Sequence, residues 1–566
     1  MSRRRARKKS IEPKTKSEPK PKPKPKPKPK PKPKPLSPWL MWVGLALILL
    51  LTSLIRWRLL SAPLERDEGE YAYAGQLILQ GIAPYDQVYN MKMPGIYAAY
   101  ALIMAVFGQT QQAIHLGLLI VNVVTSVLLF LTGRRLFNPL TGVGAAGAWA
   151  VMSLSPSVQG VFANAEHFVV PFALGGILLL LIALDRQKNW LLLIGALLLG
   201  TGFMMKQHGA AYILFGGMLL IHHQWRRKPI KGKLFSIRII LFMLGVLAPF
   251  LLTCGILAAA GTFGKFWFWT FSYARQYISS VPLSRGFNNY FIPTLVRIAG
   301  SGLLISMITV FGPVSLIWNR TARRQWVFAC GFAFFGFLAV CPGFYFRPHY
   351  FVLLLPAWAL WAGIGIDGAG RIFSIYRSAW LAKSLLGLLL AVVLTQSVYK
   401  QREFLWEKNP SDASRSIYYP NPFAESLPVA DYIKEHTAED DTVAVIGSEP
   451  QIYFYSQRRS ATGYIYAYDL VKDHEYAATM REEMIREIET NLPEIIIFVS
   501  VNLSWLAQPS ADLMNWLRDY TQQHYRRTGT VDIYREPNPS QFRWELLDNN
   551  YAPRSNYWLE IYRRKH

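Results

Sequence analysis

Three carboxylates stand directly after the first apolar segment of the chain, in the stretch Arg66-Asp67-Glu68-Gly69-Glu70-Tyr71-Ala72-Tyr73. A turn with the sequence Lys92-Met93-Pro94-Gly95 follows them. Exposing a charge to lipid costs about 2.5–3.5 kcal/mol on insertion scales, so an acidic cluster beside an apolar segment is a functional candidate. A solvated acidic loop would carry the same charge, but the interleaved aromatic residues and the turn favour a site.

A carboxylate in this position can act as a general base if its pKa and geometry suit the reaction. Partial burial raises the pKa of a carboxyl group, whereas neighbouring cations lower it. If residues 67–80 form a helix, Asp67 and Glu70 share one face while Glu68 points about 100° away. The three carboxylates therefore need not serve the same task.

Basic side chains near the membrane surface could bind an anionic group. Lys92, Lys206 and Arg347 are the candidates, and arginine can bind two oxygen atoms of one anion at once. Each could instead be a long side chain that anchors a helix end at the membrane surface. Tyr345 and His349 stand beside Arg347 in the sequence and favour the binding interpretation there.

A divalent cation is an open alternative for neutralising the charge of an anionic group. Glu68, Glu166, His167 and His349 could supply oxygen and nitrogen ligands, but their spacing matches no compact metal motif. His167 is equally typical of a residue that hydrogen-bonds at a helix end. The sequence establishes no cofactor, and a divalent metal stays an open alternative.

The composition excludes an ordinary soluble enzyme. Of the 566 residues, 52% are hydrophobic, and apolar runs of about 18–20 residues recur through the first 400 positions. The formal charge of +26 does not indicate a nucleic-acid partner, because residues 1–35 carry 16 Lys and Arg against two Glu. There the Lys-Pro alternation favours an extended, disordered tail over residues 1–36, which we expect to be cytoplasmic and to contact anionic membrane lipids.

Hydropathy predicts eleven membrane spans and one short apolar helix, over residues 96–107, at the membrane surface. The predicted spans are 38–55, 113–133, 140–156, 168–184, 190–206, 209–223, 236–260, 290–318, 326–342, 350–367 and 379–397.

Loop charge predicts the orientation of these spans. With the basic tail in the cytoplasm, the loop clusters fall on the same side, namely Arg134-Arg135, Arg186 with Lys188, Arg226-Arg227-Lys228 with Lys231 and Lys233, Arg320 with Arg323-Arg324, and Arg371 with Arg377. The acidic stretch, the candidate cations and everything after residue 398 then share the opposite, extracytoplasmic face.

The composition after residue 398 is that of a soluble domain. Helices are predicted over 424–436, 479–489 and 513–524, and strands over 442–447 and 494–500, which indicates a small α/β domain. The predicted fold is thus mainly α: a polytopic transmembrane helical bundle over 37–398, with a first outer loop at 56–112, and an extracytoplasmic α/β domain over 399–566.

The pattern D-E-x-x-Y-A at Asp67, Glu68, Tyr71 and Ala72 resembles the first-loop motif of GT-C membrane glycosyltransferases. The similarity is greatest to the protein O-mannosyltransferase and aminoarabinose-transferase group and its bacterial members. It continues through QLILQGIAPYDQVYNMKMPGIYAAYALIMAVFG and covers about residues 60–400. Further matching elements are Asn164-Ala165-Glu166, Lys206-Gln207 and Arg347-Pro348-His349-Tyr350-Phe351.

The resemblance implies an enzyme of the bacterial plasma membrane that takes a sugar from a polyprenyl-phosphate donor on the outer leaflet. Asp67 matches the family's catalytic carboxylate, and Glu68 matches an adjoining acidic position that binds metal or substrate in relatives. We expect substrate to be bound by Glu70, Tyr71, Lys92, Glu166, Lys206, Tyr345, Arg347 and His349.

The leading hypothesis is an inverting transferase that uses Asp67 as base and passes sugar to a lipid, glycan or protein. Two other hypotheses stay open at this point. A transporter or flippase of lipid-linked sugars would favour charges near mid-membrane and related halves, whereas the polar groups here stand at span ends on one face. A membrane scaffold would leave the acidic loop without a role.

Overall fold

Apolar helices make up most of the first 400 residues. The computed structural model describes residues 38–226, 232–374, 379–545 and 551–566, and all of these belong to one compact unit. The predicted tail over residues 1–36 lies outside the described residues, as do Arg227, Lys228, Lys231 and Arg377 of the predicted basic loops.

The bundle contains eighteen α-helices within the described ranges. They are α1 Pro38–Arg58, α2 Arg66–Leu79, α3 Pro94–Phe107, α4 Gln111–Leu136, α5 Pro139–Met152, α6 Ala165–Arg186, α7 Asn189–Met205, α8 Ala210–Arg226, α9 Gly232–Ala259, α10 Phe263–Trp267, α11 Ala274–Ser279, α12 Leu283–Gly286, α13 Ile292–Ser301, α14 Leu303–Ser315, α15 Arg320–Arg324, α16 Trp326–Val340, α17 Leu355–Phe373 and α18 Ala379–Lys400. Short 3₁₀ turns occupy Pro156–Val158, Gln207–Gly209, Pro342–Phe344 and Pro348–Leu353, and π-helical turns occupy Phe268–Tyr273, Phe287–Phe291 and Glu403–Glu407.

Every predicted span overlaps at least one of these apolar helices, and the chain is a multi-pass membrane protein. Among the described residues, five helices are long and apolar enough to cross a membrane alone, or six if one bent pair forms a single span. Helices α3, α5, α7 and α16 are apolar but shorter, at 10–17 residues. The prediction of eleven crossings therefore stays a prediction, as does the surface position of α3.

The predicted span at 290–318 is sharply bent in the structure. Leu283–Ser301 and Leu303–Ser315 meet at an angle of 107°. Gly302 lies between them, and a Cβ atom added there would be 2.6 Å from the hydroxyl oxygen of Ser397 on α18. The absence of a side chain lets the corner approach α18 closely, so the apolar run could not be read as one straight helix.

The region after α18 has the predicted α/β composition. Its elements are α19 Pro410–Tyr418, α20 Ser426–His436, β1 Thr442–Ile446, α21 Gln451–Ser456, β2 Arg459–Ser460, α22 Tyr468–Val471, α23 Ala477–Asn491, β3 Ile495–Ser500, α24 Asn502–Trp505, α25 Ala511–His524, β4 Tyr525–Asp532, β5 Gln541–Trp544 and β6 Trp558–Arg564. All three predicted helices and both predicted strands are present, with ends shifted by a few residues.

The strands form one mixed sheet in the order β2-β1-β3-β6-β4-β5. β1 is parallel to β2 and β3, with Val443 opposite Ile495, whereas β3, β6, β4 and β5 pair antiparallel. The continuous apolar runs of β1 and β3 are typical of strands covered on both faces. The antiparallel half was not predicted, because its strands carry many charged and polar residues.

The region after α18, the sheet domain, packs directly on helix α2 of the bundle. A Cβ atom added at Gly69 would lie 2.6 Å from the backbone nitrogen of Gln451 at the start of α21. At the start of the same helix, the Arg66 guanidinium donates to Ser448 O (2.5 Å), Asn421 Oδ1 (2.8 Å) and Glu449 Oε1 (2.9 Å). The boundary near residue 398 stays a prediction, since the described residues on both sides form one unit.

Candidate active site

A cavity of about 360 Å³ lies where the bundle meets the sheet domain. Its wall is formed by the start of α2, the segment before α3 and the turns that follow α7 and α16. Helix α11, the π-helical turn before it and the sheet domain complete the wall. The charged and histidine side chains in this wall are Glu65, Arg66, Asp67, Lys92, Lys206, His208, Arg347 and His349. The cavity therefore gathers ionisable groups that are far apart in the sequence.

Helix α2 presents Asp67 to this cavity. The helix begins with a capping box, in which Glu65 Oε1 accepts from the Glu68 backbone nitrogen (3.2 Å) and Glu68 Oε2 accepts from that of Glu65 (3.0 Å). This reciprocal pair fixes the first turn of the helix. Asp67 lies inside that turn, and the Tyr466 hydroxyl of the sheet domain donates to its Oδ1 at 3.4 Å.

Asp67 forms an ion pair with Lys92. The Lys92 Nζ atom lies 3.0 Å from Asp67 Oδ2, and the two side chains are 19% and 17% exposed. Burial raises the pKa of Asp67, but the charge of Lys92 outweighs burial and holds the pKa below its ordinary value. Burial lowers the pKa of Lys92, while Asp67 and Glu70 raise it above its ordinary value. Both groups are therefore charged at neutral pH.

Two buried residues, Tyr71 and Glu70, lie on the side of Lys92 that faces away from the cavity. Its ammonium donates to the Tyr71 hydroxyl at 3.3 Å. Glu70 accepts from the Tyr97 hydroxyl (2.5 Å) and from Asn90 Nδ2 (3.1 Å) and has no exposed surface. Burial raises the pKa of Glu70 to about 7. Tyr71 and Glu70 thus lie behind Lys92 and do not line the cavity.

A second ion pair joins Lys206 and Glu166. The Lys206 ammonium donates to Glu166 Oε1 at short range and lies 4.3 Å from the centre of the Tyr350 ring. His349 lies beside them, with Nε2 at 4.0 Å from Glu166 Oε1 and Nδ1 at 2.8 Å from Gln159 Oε1. Burial lowers the pKa of His349 to about 4, so the imidazole is neutral near pH 7.

Arg347 has a different environment from the two lysines. Among the described residues it has no carboxylate within ion-pair distance. Its guanidinium lies 5.6 Å from the centre of the Tyr345 ring, which stacks on Tyr277 with ring centres 4.6 Å apart. A guanidinium that lines a cavity without a carboxylate partner can bind an anion there.

Glu68 faces away from the cavity. It has no exposed surface, Oε1 lies 3.0 Å from His115 Nε2 on α4, and the same oxygen accepts from the Ala163 backbone nitrogen. These bonds tie the first turn of α2 to α4 and to the segment before α6. Glu68 can position Asp67, but it does not reach a molecule in the cavity.

Of the four candidate metal ligands, Glu166 and His349 lie near each other, with Glu166 Oε1 4.0 Å from His349 Nε2, whereas Glu68 and His167 lie elsewhere. Glu68 bonds to His115, Glu166 pairs with Lys206, and His167 packs near Trp149 with ring centres 6.3 Å apart. Within the ranges that the structure describes, no three His, Cys, Asp or Glu side chains form a group that could hold a metal ion. Glu68, Glu166, His167 and His349 therefore do not form a metal site among themselves.

Of the ten residues predicted to form the site, five line the cavity and five stand outside its wall. Asp67, Lys92, Lys206, Arg347 and His349 are in the wall. Glu68, Glu70, Tyr71, Glu166 and Tyr345 instead hold wall residues in place through the contacts given above.

Sequence reasoning missed several wall residues. Glu65, Tyr277, Tyr418, Tyr468 and Gln159 all line the cavity. Burial and the neighbouring charges of Asp67 and Glu68 raise the pKa of Glu65 well above its ordinary value.

For Tyr468, the available signal in the sequence was the crowding of tyrosines between residues 453 and 468. Such crowding does not distinguish side chains that pack in a core from side chains that line a site.

Comparison with known proteins identifies the fold. Residues 92–252 match the protein family described as dolichyl-phosphate-mannose-protein mannosyltransferase. ArnT from Cupriavidus metallidurans, solved bound to undecaprenyl phosphate, aligns with a TM-score of 0.59 at 14% identity over 92% of this chain and 98% of ArnT. The apo oligosaccharyltransferase of Archaeoglobus fulgidus aligns with a TM-score of 0.51 at 11% identity over 90% of this chain and 76% of that protein. No curated protein is significantly similar in sequence.

Proposed function

Because the chain has the fold of the GT-C membrane glycosyltransferases, we propose that it transfers a sugar from a polyprenyl-phosphate donor to an acceptor. The sugar is a hexose or a pentose, and the acceptor is a lipid, a glycan or a protein on the extracytoplasmic face. Asp67 is the general base, and the reaction inverts the anomeric centre.

The observation that carries this proposal is that the Asp67 carboxylate lies in the same cavity wall as several cations. Asp67, Lys92, Lys206 and Arg347 all line the same 360 Å³ space. A lipid phosphate needs cations at the membrane surface, and ArnT is a protein of this fold that was solved with undecaprenyl phosphate. The carboxylate then supplies the base that the acceptor hydroxyl needs.

The reaction is a single displacement. The acceptor oxygen attacks the anomeric carbon and its proton passes to an oxygen of Asp67. The bond between that carbon and the phosphate oxygen breaks, and the electron pair leaves on the polyprenyl phosphate. Arg347 binds the phosphate oxygens as negative charge develops on them, since it has no carboxylate partner among the described residues.

Lys92 links donor binding to the strength of the base. In the structure its ammonium pairs with Asp67 and keeps that carboxylate a weak base. A donor phosphate beside Lys92 shares the lysine charge, so Asp67 becomes more basic when donor is bound. Asp67 is therefore most basic in the complex with donor, where it must take the proton of the acceptor hydroxyl.

The test is release of free polyprenyl phosphate from a panel of labelled polyprenyl-phosphate sugars by membranes that carry wild type or Asp67→Asn. We expect the variant to lose about 10²- to 10⁴-fold in rate, the usual contribution of a general base. Asp86→Asn is the matched control, because Asp86 is an exposed residue in the same loop.

A wild-type rate in Asp67→Asn would overturn the role of Asp67 as base. No release from any donor by correctly inserted wild-type protein would contradict the transferase proposal. A leaflet-resolved assay of lipid-linked sugar movement would then test the transporter hypothesis.

A further inference from the structure

A second cavity, of about 330 Å³, lies at the other end of the bundle. Helix α6 connects the two sites: Glu166 in its first turn pairs with Lys206 of the first cavity, whereas Leu184 and Asp185 near its end line the second. A helix of 22 residues is roughly 33 Å long, about the thickness of the hydrocarbon core of a bilayer. The second cavity therefore opens on the opposite face of the membrane, which loop charge predicts to be cytoplasmic.

The wall of this cavity is cationic at the rim. Arg135, Arg226 and Arg324 come from the ends of α4, α8 and α15, and His222 lies one turn before Arg226. Within the part of the chain that the structure describes, Asp185 is the one carboxylate in the wall, and Arg135 pairs with it at 2.5 Å. Among the described residues, Arg226 and Arg324 have no carboxylate within ion-pair distance. Two arginine charges thus remain for an anionic ligand.

The floor of the cavity is apolar. Leu184, Leu219 and Phe328 are buried there, with exposures of 3%, 6% and 5%. A charged rim over an apolar floor is complementary to an amphiphile and not to a small soluble anion, which gains nothing from leucine and phenylalanine side chains.

The position of the cavity also indicates a lipid. Trp225 and Trp326 stand next to two of its wall residues, Arg226 and Gln325, and are 69% and 53% exposed. Exposed tryptophans beside basic residues are typical of the membrane–water interface, at the level of lipid headgroups. Basic pockets between membrane helices at that level bind anionic headgroups.

We propose that the second cavity binds the phosphate headgroup of an anionic phospholipid from the leaflet opposite to the first cavity. Arg226 and Arg324 bind the phosphate oxygens, and the first methylene groups of an acyl chain lie on Leu219 and Phe328. The site is independent of the transfer reaction, because none of its residues lines the first cavity.

The test is native mass spectrometry of the full-length protein released from nanodiscs of phosphatidylcholine that contain some phosphatidylglycerol. We expect wild type to retain one phosphatidylglycerol in preference to phosphatidylcholine. The double variant R226Q/R324Q should weaken this binding by about fivefold for each arginine, as expected for a basic residue at a membrane surface. The variant R226K/R324K, which keeps both charges and shows that the fold is intact, should retain the lipid.

R320Q/R323Q is the matched control, because it removes two charges from α15, the helix that carries Arg324, at positions outside the cavity wall. Equal loss in this control, or unchanged retention in R226Q/R324Q, would overturn the proposal. Displacement of the bound lipid by inorganic phosphate would assign the pocket to a soluble phosphate and would likewise overturn the assignment to a lipid.

Discussion

The Lys92 ammonium lies 3.0 Å from the Asp67 carboxylate, and both side chains keep part of their surface open to the same cavity. An ion pair inside a proposed catalytic site lowers the basicity of the carboxylate while it lasts. Removal of Lys92 therefore makes Asp67 a stronger base and weakens the binding of the donor phosphate. The pH dependence of the rate separates these two effects.

Lys92→Gln should move the acidic limb of the pH profile of kcat/KM to higher pH. Activity requires ionised Asp67 and is lost as pH falls through the pKa of that group, which Lys92 holds below its ordinary value. Without Lys92, burial raises this pKa, although Lys206 and His349 still face Asp67. We also expect a higher KM for the donor.

The control for this variant is Lys265→Gln, since Lys265 bonds to Tyr89 and Asp86 outside the cavity wall. An acidic limb at the same pH in Lys92→Gln and wild type would contradict the ion pair as the determinant of Asp67 basicity.

Arg347→Gln should raise the KM for the polyprenyl-phosphate donor by about 10- to 100-fold, because a hydrogen bond to a charged group contributes about 1.5–3 kcal/mol. Inhibition by free polyprenyl phosphate should weaken in parallel, since the same oxygens are bound. Arg347→Lys should restore part of the affinity through its charge but not the two-point geometry. Initial rates over a range of donor concentrations give both values.

The exposed Arg285, on helix α12, provides the control Arg285→Gln. A fall in kcat of Arg347→Gln with unchanged KM and unchanged product inhibition would show that Arg347 does not bind the donor phosphate.

Glu68→Gln should lower thermal stability, because the amide cannot accept all the bonds that the buried carboxylate receives from Glu65, His115 and Ala163. An unsatisfied buried polar group costs about 1–3 kcal/mol. Transfer should slow with an unchanged pH profile, as expected for a positioning residue. Thermal unfolding of purified protein and the pH dependence of kcat/KM check the two parts.

The double variant Glu68→Gln with His115→Gln tests the link directly. Coupled residues should lose no more together than the more affected single variant loses alone. Fully additive losses would show that the two side chains act independently.

Gly69→Ala should loosen the sheet domain from α2, because the added methyl group would lie 2.6 Å from the backbone nitrogen of Gln451. Overpacking of this kind costs about 1–3 kcal/mol. Hydrogen–deuterium exchange should rise in both α2 and α21, and transfer should fall. Gly264→Ala is the control, since a methyl group there would meet no atom within 4 Å; equal exchange in both variants would contradict the close contact.

The sequence predicted the bundle side of the cavity well, for a physical reason. Span ends on one face of a bundle lie near one another, so Lys92, Lys206 and Arg347 could be expected to meet Asp67. Helical periodicity also separated Asp67 from Glu68, which the structure places on the cavity wall and against His115 respectively.

The sheet-domain side could not be predicted. Tyr466 donates to Asp67 across 399 residues of sequence, and no local pattern specifies so distant a contact. The bend at Gly302 was missed for a similar reason, because the residue that this corner approaches closely, Ser397, is also distant in sequence.

The three hydrogen bonds that Arg66 donates to Ser448, Asn421 and Glu449 have a consequence for protein engineering. The residue that holds the sheet domain is the immediate neighbour of the proposed base, so the bundle is not an interchangeable module. A chimera that takes its sheet domain from a relative must carry acceptors for this guanidinium at the same three places. Without them, the first turn of α2 loses its outer support, and the donor would meet a base that is no longer held in position.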